Sequence, residues 1–270
     1  MSYNLLKGKK GIIFGALDDR SIAWRTALKC HAEGAELILS NAPVAMRMGE
    51  INKLAEAVNA PVIGCDVSSN DDVTNLMTRA MEHFGGGFDF ILHSIGMSIN
   101  VRKGKQYTEI DYNFNSKSLD ISAMSLHRVL ATAMKMDALN EWGSVIALSY
   151  IASQRVFPDY NEMADAKALL ESVARSFGYH YGVKKHVRVN TISQSPVRTT
   201  AGSGVKGFDG FMKYAEKMSP LGNASSDDCA NYCVVMFSDM TRMVTMQNLF
   251  HDGGFSFTGV TGDVIEQMEK

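Results

Sequence analysis

Short apolar runs rich in β-branched residues alternate with longer segments of helical periodicity along the whole chain, and this alternation limits the fold more than any other feature. The runs are Gly11 to Phe14, Glu36 to Ser40, Pro61 to Cys65, Phe88 to His93, Ser144 to Ser149 and Val187 to Ile192, with a seventh at Gln247 to His251. Each is short and apolar on both faces, as a parallel strand covered by helices must be. Between them Ile22, Ala23, Ala27 and Cys30 keep helical spacing, as do Val73, Leu76, Met77 and Ala80. No hairpin turn interrupts the rhythm. The pattern predicts an α/β fold: a Rossmann-like, doubly wound parallel sheet of about seven strands with helices on both faces. Right-handed crossovers then place a ligand site at the carboxyl ends of the first strands. No Pro/Ser-rich linker, repeat or low-complexity tract divides residues 1–270, so a single domain is expected.

Charge and cysteine usage exclude several function classes. The chain carries 27 basic and 29 acidic residues, so no global charge recruits nucleic acid or an anionic membrane. No apolar run approaches the roughly 20 residues that span a bilayer, and Met1 to Lys10 lacks the apolar stretch of a secretory signal. Cys229 and Cys233 stand four apart on a predicted helix, the spacing of half a metal site. No neighbouring Cys or His completes it, so Cys30, Cys65, Cys229 and Cys233 read as reduced thiols and no metal is expected. The expected compartment is the cytoplasm.

The first strand runs directly into Gly15-Ala16-Leu17-Asp18-Asp19-Arg20-Ser21-Ile22-Ala23. A pyrophosphate-binding turn needs small residues where the backbone approaches the phosphates, and a helix start whose free N–H groups face them. Gly15 permits the turn, Ser21 and Ile22 open the helix, and Ala23 packs closely on the strand. The usual G-x-G-x-x-G is absent. Two later segments support a dinucleotide at this edge. Asp66 and Val67 end the third strand, where a carboxylate accepts from an adenine amino group. Ser94, Ile95 and Gly96 follow His93 at the end of the fourth, where small residues pass beside a ribose. The second strand ends Ser40-Asn41-Ala42-Pro43, without an acid for a ribose 2′-hydroxyl or an immediate basic pair for a 2′-phosphate; Arg47 follows. NADH is the expected cofactor and NADPH stays open.

Tyr160 and Lys167 are seven residues apart after the fifth strand. On a helix that spacing is about two turns, roughly 10 Å, so both would share one face. A phenol is a neutral donor near pH 7, and a nearby ammonium makes it a stronger one. Such a donor can hydrogen-bond a carbonyl oxygen that gains charge as hydride arrives. Two other pairs spell Tyr-x3-Lys, Tyr3 with Lys7 and Tyr181 with Lys185, but neither lies where a nicotinamide would reach. Segments 96–111 and 193–219 break the strand-helix rhythm beyond two strand ends, where active-site loops belong; the second reads as a substrate lid.

Typical short-chain dehydrogenases carry Tyr-x3-Lys and an upstream Ser; anchored on Lys167, those positions here hold Met163 and Tyr150. The chain instead resembles the enoyl-acyl-carrier-protein reductases of the same superfamily, which use Tyr-x6-Lys with a second Tyr ten residues earlier, the position of Tyr150. The glycine turn with Ser21 and Ala23, the His-Ser-Ile-Gly stretch ending at Gly96, Arg188-Val189-Asn190 and Asp252-Gly253-Gly254-Phe255 also match. The resemblance implies NADH-dependent reduction of a trans-2-enoyl thioester on acyl carrier protein, in a homotetramer. It implies that Tyr160 binds the thioester oxygen, that Lys167 holds the nicotinamide ribose, and that Tyr150 lines the pocket.

The chain departs from that family in two places. Ser193-Gln194-Ser195-Pro196 replaces Ser-Ala-Gly-Pro, which would enlarge and polarise the wall near the nicotinamide. Of a basic cluster in the following loop only Lys206 remains, with Asp209 and Gly210 in the other places; Arg102, Lys103 and Lys105 are candidates to replace it. Phe208, Phe211, Met212 and Tyr214 suit either an acyl-chain tunnel or plain helix packing. A carbonyl reductase acting on 3-ketoacyl thioesters and a non-catalytic nicotinamide-binding regulator are the alternatives.

Overall fold

A computed structural model describes residues 2–47, 50–200 and 207–269. Seven parallel strands form one sheet in the order β3-β2-β1-β4-β5-β6-β7: β1 Lys10–Phe14, β2 Glu36–Asn41, β3 Val62–Gly64, β4 Phe88–His93, β5 Leu139–Ser149, β6 Arg188–Gln194 and β7 Asn248–His251. The helices are α1 Ile22–Ala32, α2 Pro43–Met46, α3 Glu50–Ala57, α4 Asn70–Phe84, α5 Ile99–Arg102, α6 Tyr112–Leu119, α7 Ser125–Lys135, α8 Glu162–Lys185, α9 Phe208–Met218, α10 Ser226–Phe237 and α11 Gly262–Met268. A π-helical turn, Asp120–Met124, joins α6 to α7.

Alternation along each strand builds two cores. Ile12, Phe14, Ile38, Ile91 and Val145 face α4, α7 and α8 on one side. Ile13, Leu37, Leu39, Phe90, Leu92 and Ile146 face α1, α3 and α10 on the other. These are the two helical layers that runs apolar at every position require. The sheet order reverses at β1, between β2 and β4, which opens a crevice at the strand carboxyl ends.

Most strand bounds shift by a residue from the sequence pattern, and two strands run further beyond it, each for a polar reason. β5 begins at Leu139, five residues early, with a register shift against β4 between Phe88 and Phe90. Its first residues are not an apolar run; Asn140 is held by Asp89 at 2.9 Å, and Trp142 stacks on His186 at 4.6 Å. β6 continues through Ser193 and Gln194, which pair with Phe250 and His251 of β7. Backbone pairing, not hydrophobicity, carries it there. The four cysteines are free and buried.

Candidate active site

The nucleotide segments meet at the crevice. Gly15 has φ +89°, and a Cβ added there would stand 1.9 Å from the Ser94 carbonyl oxygen, so the turn after β1 and the end of β4 touch backbone to backbone. Ser21 caps α1, its hydroxyl accepting from Trp24 N–H at 3.2 Å, and the first-turn N–H groups of Ile22 and Ala23 fall outside the intrahelical ladder. Asn41, at the end of β2, donates to the Ala16 carbonyl at 2.9 Å and stiffens the same turn. Asp66 accepts from the backbone and hydroxyl of Ser68 at 2.9 and 2.6 Å, and these bonds are the main reason its carboxyl lies below the usual carboxylate range. The Val67 carbonyl receives Arg128 at 2.6 Å, and Arg128 also pairs with Asp120 of the π turn at 2.8 Å. The end of β3 and the π turn are thus tied together.

Beyond β4, Ile95 packs against the core and Gly96 lies beside Lys167: an added Cβ would be 4.0 Å from Nζ and 3.5 Å from Met163 Cε. The π turn secures this loop, because Ser122 Oγ accepts from Met97 N–H at 2.9 Å and donates to its carbonyl at 3.1 Å. π turns recur at functional sites because they re-aim one residue without ending the helix.

Lys167 is 7% exposed, and Nζ donates to the Leu148 carbonyl at 2.7 Å, leaving two N–H groups for another partner. Burial lowers its pKa to about 8, against the opposing pull of Glu171 one helical turn on. Glu171 is itself buried and accepts from Ser149 and Ser153, each at 2.6 Å. His93, fully buried, shares a hydrogen with Ser125 at 2.8 Å; burial first, then Lys167, lowers its pKa to about 3, so the ring is neutral.

Tyr160 is not on the same helix as Lys167, contrary to the sequence pattern. It ends a 3₁₀ turn, Pro158–Tyr160, and Asn161 at φ 51°, ψ −142° separates that turn from α8. This non-glycine residue in a costly conformation swings the phenol out of the helix, against Tyr150. The two rings lie 5.2 Å apart, and Tyr160 also packs on Val101, Met163 and Ala166, beside Lys167. Burial raises both phenols above the ordinary range, helped at Tyr150 by Tyr160 and Asp252. The Tyr150 hydroxyl is buried with no partner. Two neutral phenols at one pocket, one lacking an acceptor, suit an incoming oxygen. Phe157 and Phe211 of α9 close the aromatic wall at 5.5 and 6.2 Å from Tyr150, and Phe255 lies 6.2 Å from Phe211.

A scan for known families matches residues 15–256 to the family described as Enoyl-(Acyl carrier protein) reductase. The chain belongs to that family. The NADH-dependent enoyl-[acyl-carrier-protein] reductase FabI of Rickettsia bellii is 34% identical over 262 residues, 96% of this chain and 98% of that protein. A FabI–NADH complex from Alistipes finegoldii is 61% identical with a TM-score of 0.95, covering 96% of this chain and 92% of that one. The Aquifex aeolicus enoyl reductase structure is 31% identical with a TM-score of 0.88, covering 95% of this chain and all of that chain, 100%.

Within this enoyl reductase frame the family departures become readable. Gln194 is buried; its oxygen meets His251 Nδ1 at 2.8 Å, while its amide nitrogen has no partner among the described residues. Ser195 Oγ accepts from Ala224 N–H at 3.0 Å. The Gln194 oxygen thus holds β7 and Ser195 the approach to α10. The Tyr-x3-Lys pairs are structural or remote. Tyr181 donates to the Leu130 carbonyl at 3.1 Å, Lys185 pairs with Asp137 at 2.8 Å, and Tyr3 is 77% exposed ahead of β1. Phe211 joins the pocket wall and Tyr214 packs on Phe255 at 6.1 Å, whereas Phe208 borders a cleft with Arg20 and Arg198. Lys206 lies outside the described residues.

Glu162, Glu171 and Phe157 escaped the sequence pattern. Glu162 is fully buried at the start of α8; one of its oxygens accepts from Ser98 at 2.5 Å and Ser118 at 3.1 Å, and the other has no partner. It draws the loop after β4 and α6 onto the base of Tyr160. A charged residue type beside a catalytic motif reads as solvated surface, so only the serine pair could have signalled it.

Proposed function

We infer that the chain reduces the trans-2 double bond of enoyl thioesters on acyl carrier protein, with NADH as the reductant, in fatty-acid elongation. The observation that carries this reading is the partnerless buried hydroxyl of Tyr150 beside Tyr160, two residues beyond the Leu148 carbonyl that binds an amine with two spare donors. The related proteins named above as NADH-dependent enoyl reductases support it. The nucleotide fits these residues: Gly15 lets the turn after β1 close on the Ser94 carbonyl where a Cβ would collide, and the start of α1 follows that turn with first-turn N–H groups outside the helical ladder. Gly15, Ser21 and Ile22 would hold the pyrophosphate, Asp66 and Val67 the adenine, and Ser94, Ile95, Gly96 and Lys167 the nicotinamide side. Bound NADH supplies hydride to the β-carbon.

Charge then collects on the thioester oxygen as an enolate. Tyr160 donates a hydrogen bond to that oxygen, and Lys167 adds positive potential and holds the ribose hydroxyls. Tyr150 lines the thioester and turns its hydroxyl toward it. A proton taken up at the α-carbon completes the saturated product. Residues 193–200 and 207–219 act as the lid of a single domain, the rest of that segment, 201–206, lying outside the described residues; the protein works in the cytoplasm as a homotetramer.

The test follows absorbance at 340 nm with crotonyl or acetoacetyl thioester and each nicotinamide. Oxidation of NADH by the crotonyl substrate is expected. Turnover of the acetoacetyl substrate alone would make the chain a carbonyl reductase, and tight NADH binding without any oxidation would make it a regulator.

A further inference from the structure

We propose that Arg102, Lys103 and Lys105 form the docking surface for the acidic carrier protein that presents the thioester, a proposal that rests on the function above. All three are exposed, and among the described residues none takes part in an ion pair. On the lid side Arg198 pairs with Asp209 at 2.5 Å and Arg20 with Asp18 at 3.1 Å, whereas Lys213 and Lys217 of α9 take part in no ion pair among the described residues and serve as the comparison.

The free cations also stand at the pocket. The Lys105 carbonyl accepts from the side chain of Asn161, the residue after Tyr160. Val101, one residue before Arg102, is buried against Met163 and Ala166 with Tyr160 packed on the same cluster. Lys103 sits 4.6 Å from the centroid of the Phe114 ring, which limits where its ammonium points. An acidic protein seated on this rim would have its thioester-bearing arm directed at the two phenols. Rim charges of this kind speed encounter and set orientation more than they deepen final affinity.

The test compares wild type with the triple variant R102E/K103E/K105E on crotonyl-carrier protein and on the neutral crotonyl-N-acetylcysteamine thioester. The Lys105 carbonyl, and so its bond to Asn161, survives the change. KM for the carrier-bound substrate should rise about tenfold or more with kcat little altered, while kcat/KM for the neutral thioester holds. Wild-type kcat/KM on the carrier should also fall with added salt, and the variant's should not. An unchanged KM for the carrier-bound substrate, or equal losses on both substrates, overturns the proposal. So does an equal effect from the lid-helix control K213E/K217E. If wild type reduces neither substrate, the enzymatic reading fails instead.

Discussion

Lys167 is buried with one N–H committed to Leu148, and that burial lowers its pKa from an ordinary 10.5 to about 8. Between those values the unfolded chain binds a proton that the folded chain has released, so Lys167 makes stability rise with pH across that window. Binding runs the other way. The ammonium supplies the donors and the positive potential, so NADH affinity of the free enzyme should weaken as pH rises through about 8. Titration by nicotinamide fluorescence from pH 6.5 to 9.5 checks this; a flat profile would remove Lys167 from the cofactor site. Lys167→Met should abolish the dependence. Tyr160→Phe separates the roles differently: NADH binding should hold while kcat falls about 10²–10³-fold, the loss seen when an oxyanion donor is removed. Single-turnover absorbance decay measures the chemical step directly.

The elements position these side chains through backbone contacts that tolerate little change. Gly15→Ala would place a methyl 1.9 Å from a carbonyl oxygen at φ +89°. Neither the turn nor β4 can yield, so stability should fall by at least about 1–3 kcal/mol, with NADH binding lost before folding is; urea melts with and without NADH report both. At the start of α8, Glu162→Ala strands the Ser98 and Ser118 hydroxyls, a loss of about 1–3 kcal/mol, whereas Glu162→Gln keeps an acceptor and should stay near wild type. Equal denaturation midpoints for Glu162→Ala and wild type would deny the clamp. These elements also mark what a sequence discloses. The strands were legible because double-sided burial writes uninterrupted apolar runs, and Gly15 and Ser21 because a left-handed turn and a helix cap each demand those residue types. The 3₁₀ turn at Tyr160 was not, because helical spacing from 160 to 167 gives no hint that Asn161 adopts φ 51°. Glu162 and Glu171 were missed because their partners come from elements distant in the chain.

Taken whole, the molecule leaves large apolar side chains in water: Leu221 and Met243 are each 89% exposed, Phe257 81%, and Met240 73%. Met240 and Met243 flank the approach to β7, the strand at the open edge of the sheet, and Leu221 and Phe257 lie near the Gly253–Gly254 turn that follows it. A sheet edge with apolar neighbours is unfavourable in isolation and is ordinarily covered. Coverage by further copies of the chain is what the assembly proposed above would supply. Light scattering should therefore give four times the 29.6 kDa of one chain. The paired change M240E/M243E should split that assembly at micromolar concentration, because charges on the covered face would have to be desolvated in every interface. Since Tyr160, Lys167 and the crevice after β1 are built within one chain, the separated subunits should still bind NADH. A monomeric wild-type mass would leave the exposed methionines and Phe257 without this explanation and would overturn the tetramer while leaving the reductase chemistry intact.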